Sequence, residues 1–67
     1  MRVKALRLRA ARESRALSQQ ELSTRSGVAK STIVRIENGT DAHPRTVRKL
    51  AEALEMEPKE LMGEGPA

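Results

Sequence analysis

The tetrapeptide Ser18-Gln-Gln-Glu21 narrows the possible folds of this chain more than any other feature, because it assigns the start of a helix to one residue. In such a capping box the Ser hydroxyl accepts from the backbone N–H of Glu21, and the Glu carboxylate accepts from the backbone N–H of Ser18. Leu17 before the cap and Leu22 in the first turn form the matching hydrophobic staple. A helix therefore starts at Gln19. It can run only to about Ser26, because Gly27 adopts the left-handed conformation that closes a helix C-terminus at little cost.

The chain becomes helical again at Lys30. Over Lys30 to Glu37 the apolar Ile33 and Ile36 lie three apart and face inward, which leaves Lys30, Ser31, Thr32, Val34 and Arg35 largely outward. Asn38-Gly39 stops this helix, and Thr40 to His43 read as a loop. Pro44 suits the first position of a helix, and Val47, Leu50, Ala51 and Leu54 recur at i, i+3, i+4 and i+7, the clearest amphipathic pattern in the chain. Pro58 opens a last short turn, Lys59 to Met62, from which Leu61 and Met62 can pack back before Gly63 ends it. At the other end, Val3 to Arg15 contains no breaker and predicts a first helix, with Leu8, Ala11 and Arg15 on one stripe and Leu6 and Ala10 beside it. The segment from Gly63 to Ala67 reads as a frayed tail.

The expectation is an all-α fold of five short helices in a single compact domain spanning residues 1–67. Composition agrees: with no Phe, Tyr or Trp, the core must be built from Leu, Ile, Val, Ala and Met, which are mostly good helix formers. It must also be small, since a chain near this length hides only about 60% of the surface exposed when unfolded. Cysteine is absent, which excludes disulfides and thiolate metal sites. Uncharged stretches such as Ala16 to Gln20 are far shorter than the ~20 apolar residues of a membrane span, and nothing resembles a signal peptide. A soluble, cytoplasmic protein without membrane contact is expected.

The formal net charge of +4 conceals an asymmetry. Residues 1–49 hold 12 Lys/Arg against 4 Asp/Glu, whereas residues 50–67 hold Lys59 against 5 Glu. The basic part is the candidate face for a polyanion, although charge on helices often serves only to solvate them. An enzyme is disfavoured, because His43 is the only histidine and no Cys or second His can complete a triad or a metal site. The Glu residues lie mainly at outward helix positions, where solubility explains them.

A helix, a turn around Gly27-Val28-Ala29 and a second helix make a helix-turn-helix, which alone is a weak signal because many helical domains contain such a pair. More specific is the ordered set Arg12, Leu17-Ser18-Gln19, Glu21-Leu22, Gly27, Ile33, Ile36-Glu37-Asn38-Gly39, Pro44 and Leu50-Ala51 with Leu54. From about Leu8 to Met62 it resembles the phage repressor and Cro-like (XRE-type) helix-turn-helix family. The resemblance implies sequence-specific binding of double-stranded DNA, with the N-terminal residues of the second helix at base edges in the major groove.

Residue by residue, the resemblance implies base contacts from Lys30, Ser31, Thr32 and Arg35, with Val34 placed to meet a thymine methyl. It implies phosphate contacts from Gln19, Asn38 and Arg45, to which Thr46 can add a hydroxyl donor. Arg12 and Glu37 look like the family's structural ion pair joining the first helix to the end of the third. Ordinary readings stand beside these: a solvated first-turn Gln19, an incidental surface Val34, and an Asn38 that merely ends a helix. Two positions depart from the pattern. The family often has Ser or Thr where this chain has Ala29, a lost N-cap that costs about 0.5 to 2 kcal/mol, and a small apolar residue where it has Ser23.

The function expected from the resemblance is a transcriptional repressor acting as a homodimer on DNA, its two recognition helices one DNA turn, ~34 Å, apart. No cofactor, metal or small-molecule effector is indicated. The alternative is a protein-interaction or antitoxin-like module that uses the same fold to dock on another protein, with the acidic C-terminal part and any exposed Met56, Leu61 and Met62 as its surface.

Overall fold

Local chemistry sets the bounds of most helices. In the computed structural model, which describes residues 2–62, the capping box forms: Ser18 Oγ accepts from the N–H of Glu21 at 3.0 Å, and Glu21 Oε1 accepts from the N–H of Ser18 at 2.8 Å. The bond from the Ser18 backbone, supported by the Ser18 side chain, holds the Glu21 carboxyl below the usual carboxylate range. Gly27 closes the helix at φ 77°. The order is α1 (Leu8–Ser14), α2 (Gln19–Ser26), α3 (Lys30–Glu37), α4 (Pro44–Ala53) and α5 (Pro58–Met62). The starts and ends of α2 and α3 are those the sequence predicts, and Pro44 occupies the first turn of α4 as expected.

The helices enclose one aliphatic core. Leu8 of α1, Leu22 of α2, Ile33 of α3, Val47 and Leu50 of α4, Leu54 just after it and Leu61 of α5 are all fully buried. Each such side chain contributes roughly 1.5–3 kcal/mol of transfer free energy. α2 packs on α3 and α4, α4 on α5, and α1 on α3 and α5. Leu61 has no exposed surface and so cannot belong to the docking surface suggested for it from sequence, while Met56 and Met62 pack against the core and remain partly buried.

The start of the chain departs from expectation. α1 begins at Leu8, not Val3, because the preceding backbone bonds to distant residues. The N–H of Val3 donates to the carbonyl of Ala42 at 2.8 Å, the N–H of Ala42 donates to the carbonyl of Val3 at 2.6 Å, and the N–H of Arg7 donates to the carbonyl of Leu61 at 2.9 Å. The buried stripe is correspondingly Ala5, Leu8 and Ala11, whereas Leu6 is 66% exposed and Ala10 and Arg15 also face solvent. α1 and α4 are each followed by a non-glycine residue in the left-handed region, Ala16 at φ 54° and Glu55 at φ 56°. That conformation costs an L-residue roughly 1–2 kcal/mol. α1 ends within a residue of the expected Arg15, whereas no glycine marks the end of α4 in the sequence.

The expected tail from Gly63 to Ala67 lies outside the described residues. Among those described, no helix is long and apolar enough to cross a membrane.

Candidate nucleic-acid interface

α3 rests on the core through Ile33 and Ile36, both buried. The helical period then turns Ser31, Val34 and Arg35 away from the core, with Lys30 and Thr32 at the margins. Lys30, Ser31 and Arg35 are exposed, while Thr32 and Val34 are half-buried and so less outward than the sequence suggests. The turn into α3 is held by buried Val28, whose N–H donates to Ser26 Oγ at 3.1 Å. Ala29 stands at the N-cap with no side-chain bond. The first backbone N–H groups of any helix lack intrahelical partners. The Ala29 carbonyl accepts from the N–H of Thr32 at 3.0 Å, but its side chain supplies no partner for those of Lys30 and Ser31.

The other end of α3 is tied down. Arg12 Nε donates to Glu37 Oε2 at 2.7 Å and Arg12 Nη2 to Glu37 Oε1 at 3.2 Å, a two-pronged pair. Arg12 Nη1 also donates to the carbonyl of Leu17 at 2.7 Å. The side chains of Arg12 and Glu37 are only 11% and 4% exposed. Burial pushes the Glu37 carboxyl up, but the bonds from Arg12 and Gln19 and the Arg12 charge together outweigh it and hold Glu37 below the usual carboxylate range. The same bond to Glu37 raises Arg12 despite its own desolvation.

Gln19 Nε2 donates to Glu37 Oε1 at 3.0 Å, so one carboxylate joins α1, α2 and α3. A primary amide has two N–H donors and a carbonyl, which leaves Gln19 one donor and one acceptor for another partner. Sequence reasoning paired Arg12 with Glu37 but missed this third member; nothing local links residues so far apart.

Beyond α3, Asn38 and Arg45 are exposed and Thr46 is half-buried. His43, read from sequence as a loop residue, is the N-cap of α4: its Nδ1 accepts from the N–H of Arg45 at 3.0 Å. Its place directly before Pro44 was the available signal. Lys4, assigned from sequence to a helix, reaches this same loop, where its Nζ lies 2.7 Å from Asp41 Oδ1 and 3.1 Å from the carbonyl of Gly39. No group of His, Cys, Asp and Glu among the described residues is arranged to hold a metal ion.

This geometry, a short helix anchored behind and polar in front, preceded by a capped helix and a glycine turn, coincides with a family match. A family model described as helix-turn-helix matches residues 8–61. The chain belongs to the helix-turn-helix family.

The resemblance read from Arg12, the Leu17–Leu22 motif and Ile36–Gly39 is thus borne out, as is the all-α fold. This helix-turn-helix chain is 49% identical over 57 residues to the HTH-type transcriptional repressor RghR of Bacillus subtilis (strain 168), covering 82% of this chain and 42% of that protein. It is 47% identical over 60 residues to the uncharacterized HTH-type transcriptional regulator y4dL of Sinorhizobium fredii (strain NBRC 101917 / NGR234), covering 82% of this chain and 31% of that protein. The chain therefore spans less than half the length of these curated relatives. No solved structure gives a significant match.

Proposed function

We propose that this helix-turn-helix chain binds double-stranded DNA sequence-specifically through the major groove and serves as the DNA-reading part of a transcriptional repressor. The observation that carries the reading is the one-sided build of α3: Ile33, Ile36 and Glu37 fasten it to the domain while Lys30, Ser31 and Arg35 stay exposed. The names of the relatives, a transcriptional repressor and a transcriptional regulator, point the same way.

In this reading Lys30 and Arg35 donate to the two acceptors of guanine, Ser31 and Thr32 supply adaptable hydroxyls, and Val34 meets a thymine methyl. Gln19, Asn38, Arg45 and Thr46 meet phosphate oxygens and set the register. The chain acts by binding and not by catalysis, without a cofactor or effector. Two copies sit on a near-palindromic site with their α3 helices one turn, ~34 Å, apart, because a single small module buries little DNA surface.

The test is selection of bound sequences from a random duplex pool, with affinities measured at several salt concentrations. An enriched near-palindromic motif with a steep salt slope is expected. Absence of enrichment with weak, purely salt-driven binding overturns the specific reading. Sedimentation showing one protomer per palindromic site overturns the dimer.

A further inference from the structure

Between Asn38 and Arg45, two of the three proposed phosphate contacts beyond α3, stands a carboxylate, Asp41. A fixed negative charge at that place repels the DNA backbone. It is answered from the start of the chain. Lys4 Nζ lies 2.7 Å from Asp41 Oδ1 and donates as well to the carbonyl of Gly39 at 3.1 Å, at the end of α3 where helix carbonyls concentrate negative charge. The backbone holds this arrangement in place: Val3 and Ala42 exchange both of their hydrogen bonds, at 2.8 and 2.6 Å, and Ala42 is buried.

The Lys4 and Asp41 side chains are 56% and 44% exposed. At such exposure an ion pair adds little to stability. Its effect on an approaching polyanion is larger, because the loop meets that polyanion neutral instead of negative.

We infer that the extended segment Val3–Lys4 belongs to the DNA interface as a strap on the α3–α4 loop, with Lys4 cancelling the Asp41 charge in front of the phosphates. Lys4 is a positioning residue here: it acts through Asp41 and Gly39. The inference rests on the DNA-binding reading above.

The experiment measures affinity of the full chain for its selected duplex as a function of salt, with a melting curve for every variant. Lys4→Met, which keeps the aliphatic stem, is expected to weaken binding about three- to tenfold and lower the salt slope by about one, with the melting curve nearly unchanged. Lys4→Gln, which keeps a donor for the Gly39 carbonyl, weakens binding to a similar degree. Asp41→Asn alone binds at least as tightly as the parent. The double variant Lys4→Met with Asp41→Asn returns to within about twofold of the parent, because the local charge is again balanced.

Parent-like affinity of Lys4→Met or Lys4→Gln overturns the inference. So does a double variant that stays as weak as Lys4→Met, since Lys4 would then act independently of Asp41. A parent chain that binds no duplex overturns the DNA-binding reading itself, a result distinct from a binding parent that is indifferent to Lys4.

Discussion

The two ends of α3 are built on opposite plans. At the C-terminal end Glu37 is bonded to Arg12 and Gln19, the N–H groups of Gly39 and Thr40 donate to the carbonyls of Ile36 and Arg35, and Lys4 reaches the Gly39 carbonyl. At the N-terminal end Ala29 offers no side-chain cap, the first turn holds no acidic residue, and Lys30 and Ser31 face solvent. A helix of two turns can be oriented from one end only if that end is rigid, and its free end can then present polar groups without competing internal bonds. The contrast with α2 sharpens the point, since there the N-terminus carries a complete capping box. Local stability is spent at the end that sets orientation and withheld at the end that the proposed function turns toward DNA.

The largest expected effect comes from breaking the anchored end. Glu37→Ala leaves a nearly buried guanidinium with one remaining hydrogen bond, to the Leu17 carbonyl, and only the half-exposed Glu13 carboxylate at 3.9 Å as counter-charge. A loss of about 3 kcal/mol in urea unfolding is expected, the low end for a buried pair that loses one partner. The same pair imposes a pH dependence. Glu37 titrates below its ordinary value, so its stabilisation is present above the unfolded value of about 4.3 and disappears as pH falls through the lower folded value. Unfolding curves between pH 7 and pH 3 should therefore fall more steeply below about 4.3 in the parent than in Glu37→Gln, and parallel curves would show that the pair carries no such linkage.

Next comes the presented face. Arg35→Ala is expected to cost about 1–3 kcal/mol of DNA affinity and to relax preference at a single base pair, as read by competition among duplexes that differ at one position. A uniform loss across sequences would place Arg35 on phosphate instead.

Gln19→Ala probes the join between the two plans, since Gln19 both supports Glu37 and stands at the proposed phosphate edge. Loss of about 1 kcal/mol of stability is expected, with all DNA sequences weakened alike. Unchanged stability would mean that the bond to Glu37 contributes nothing net.

The smallest effect lies at the open end. Ala29→Ser supplies the missing cap and should add about 0.5–1 kcal/mol to stability in thermal unfolding. If it also weakens DNA binding, the uncapped N–H groups are used by the partner; if it does not, the open end is merely unoptimised.

Much of the fold is legible in particular residues. Ser18 and Glu21 start α2, Gly27 ends it, Asn38-Gly39 ends α3 and Pro44 opens α4, because capping and breaking act within about four residues. The apolar spacing of Ile33 with Ile36, and of Val47, Leu50 and Ala51, selects the inward faces for the same reason of short range. The site is legible in part. The family pattern pointed to Arg12 and Glu37, and the structure pairs them at 2.7 Å; the roles of Lys30, Ser31, Thr32, Val34, Arg35, Asn38, Arg45 and Thr46 remain proposals for the experiments above.

Only the tertiary structure decided the rest. Nothing near Val3 announces that its backbone partner is Ala42, or that the N–H of Arg7 belongs to the Leu61 carbonyl, so the apparent first helix loses its opening turns to bonds made across the fold. The same holds for Gln19 against Glu37 and for Lys4 against Asp41. Short-range rules can specify where a helix starts and which face it buries, whereas a bond between residues distant in sequence exists only after the packed core has brought them together.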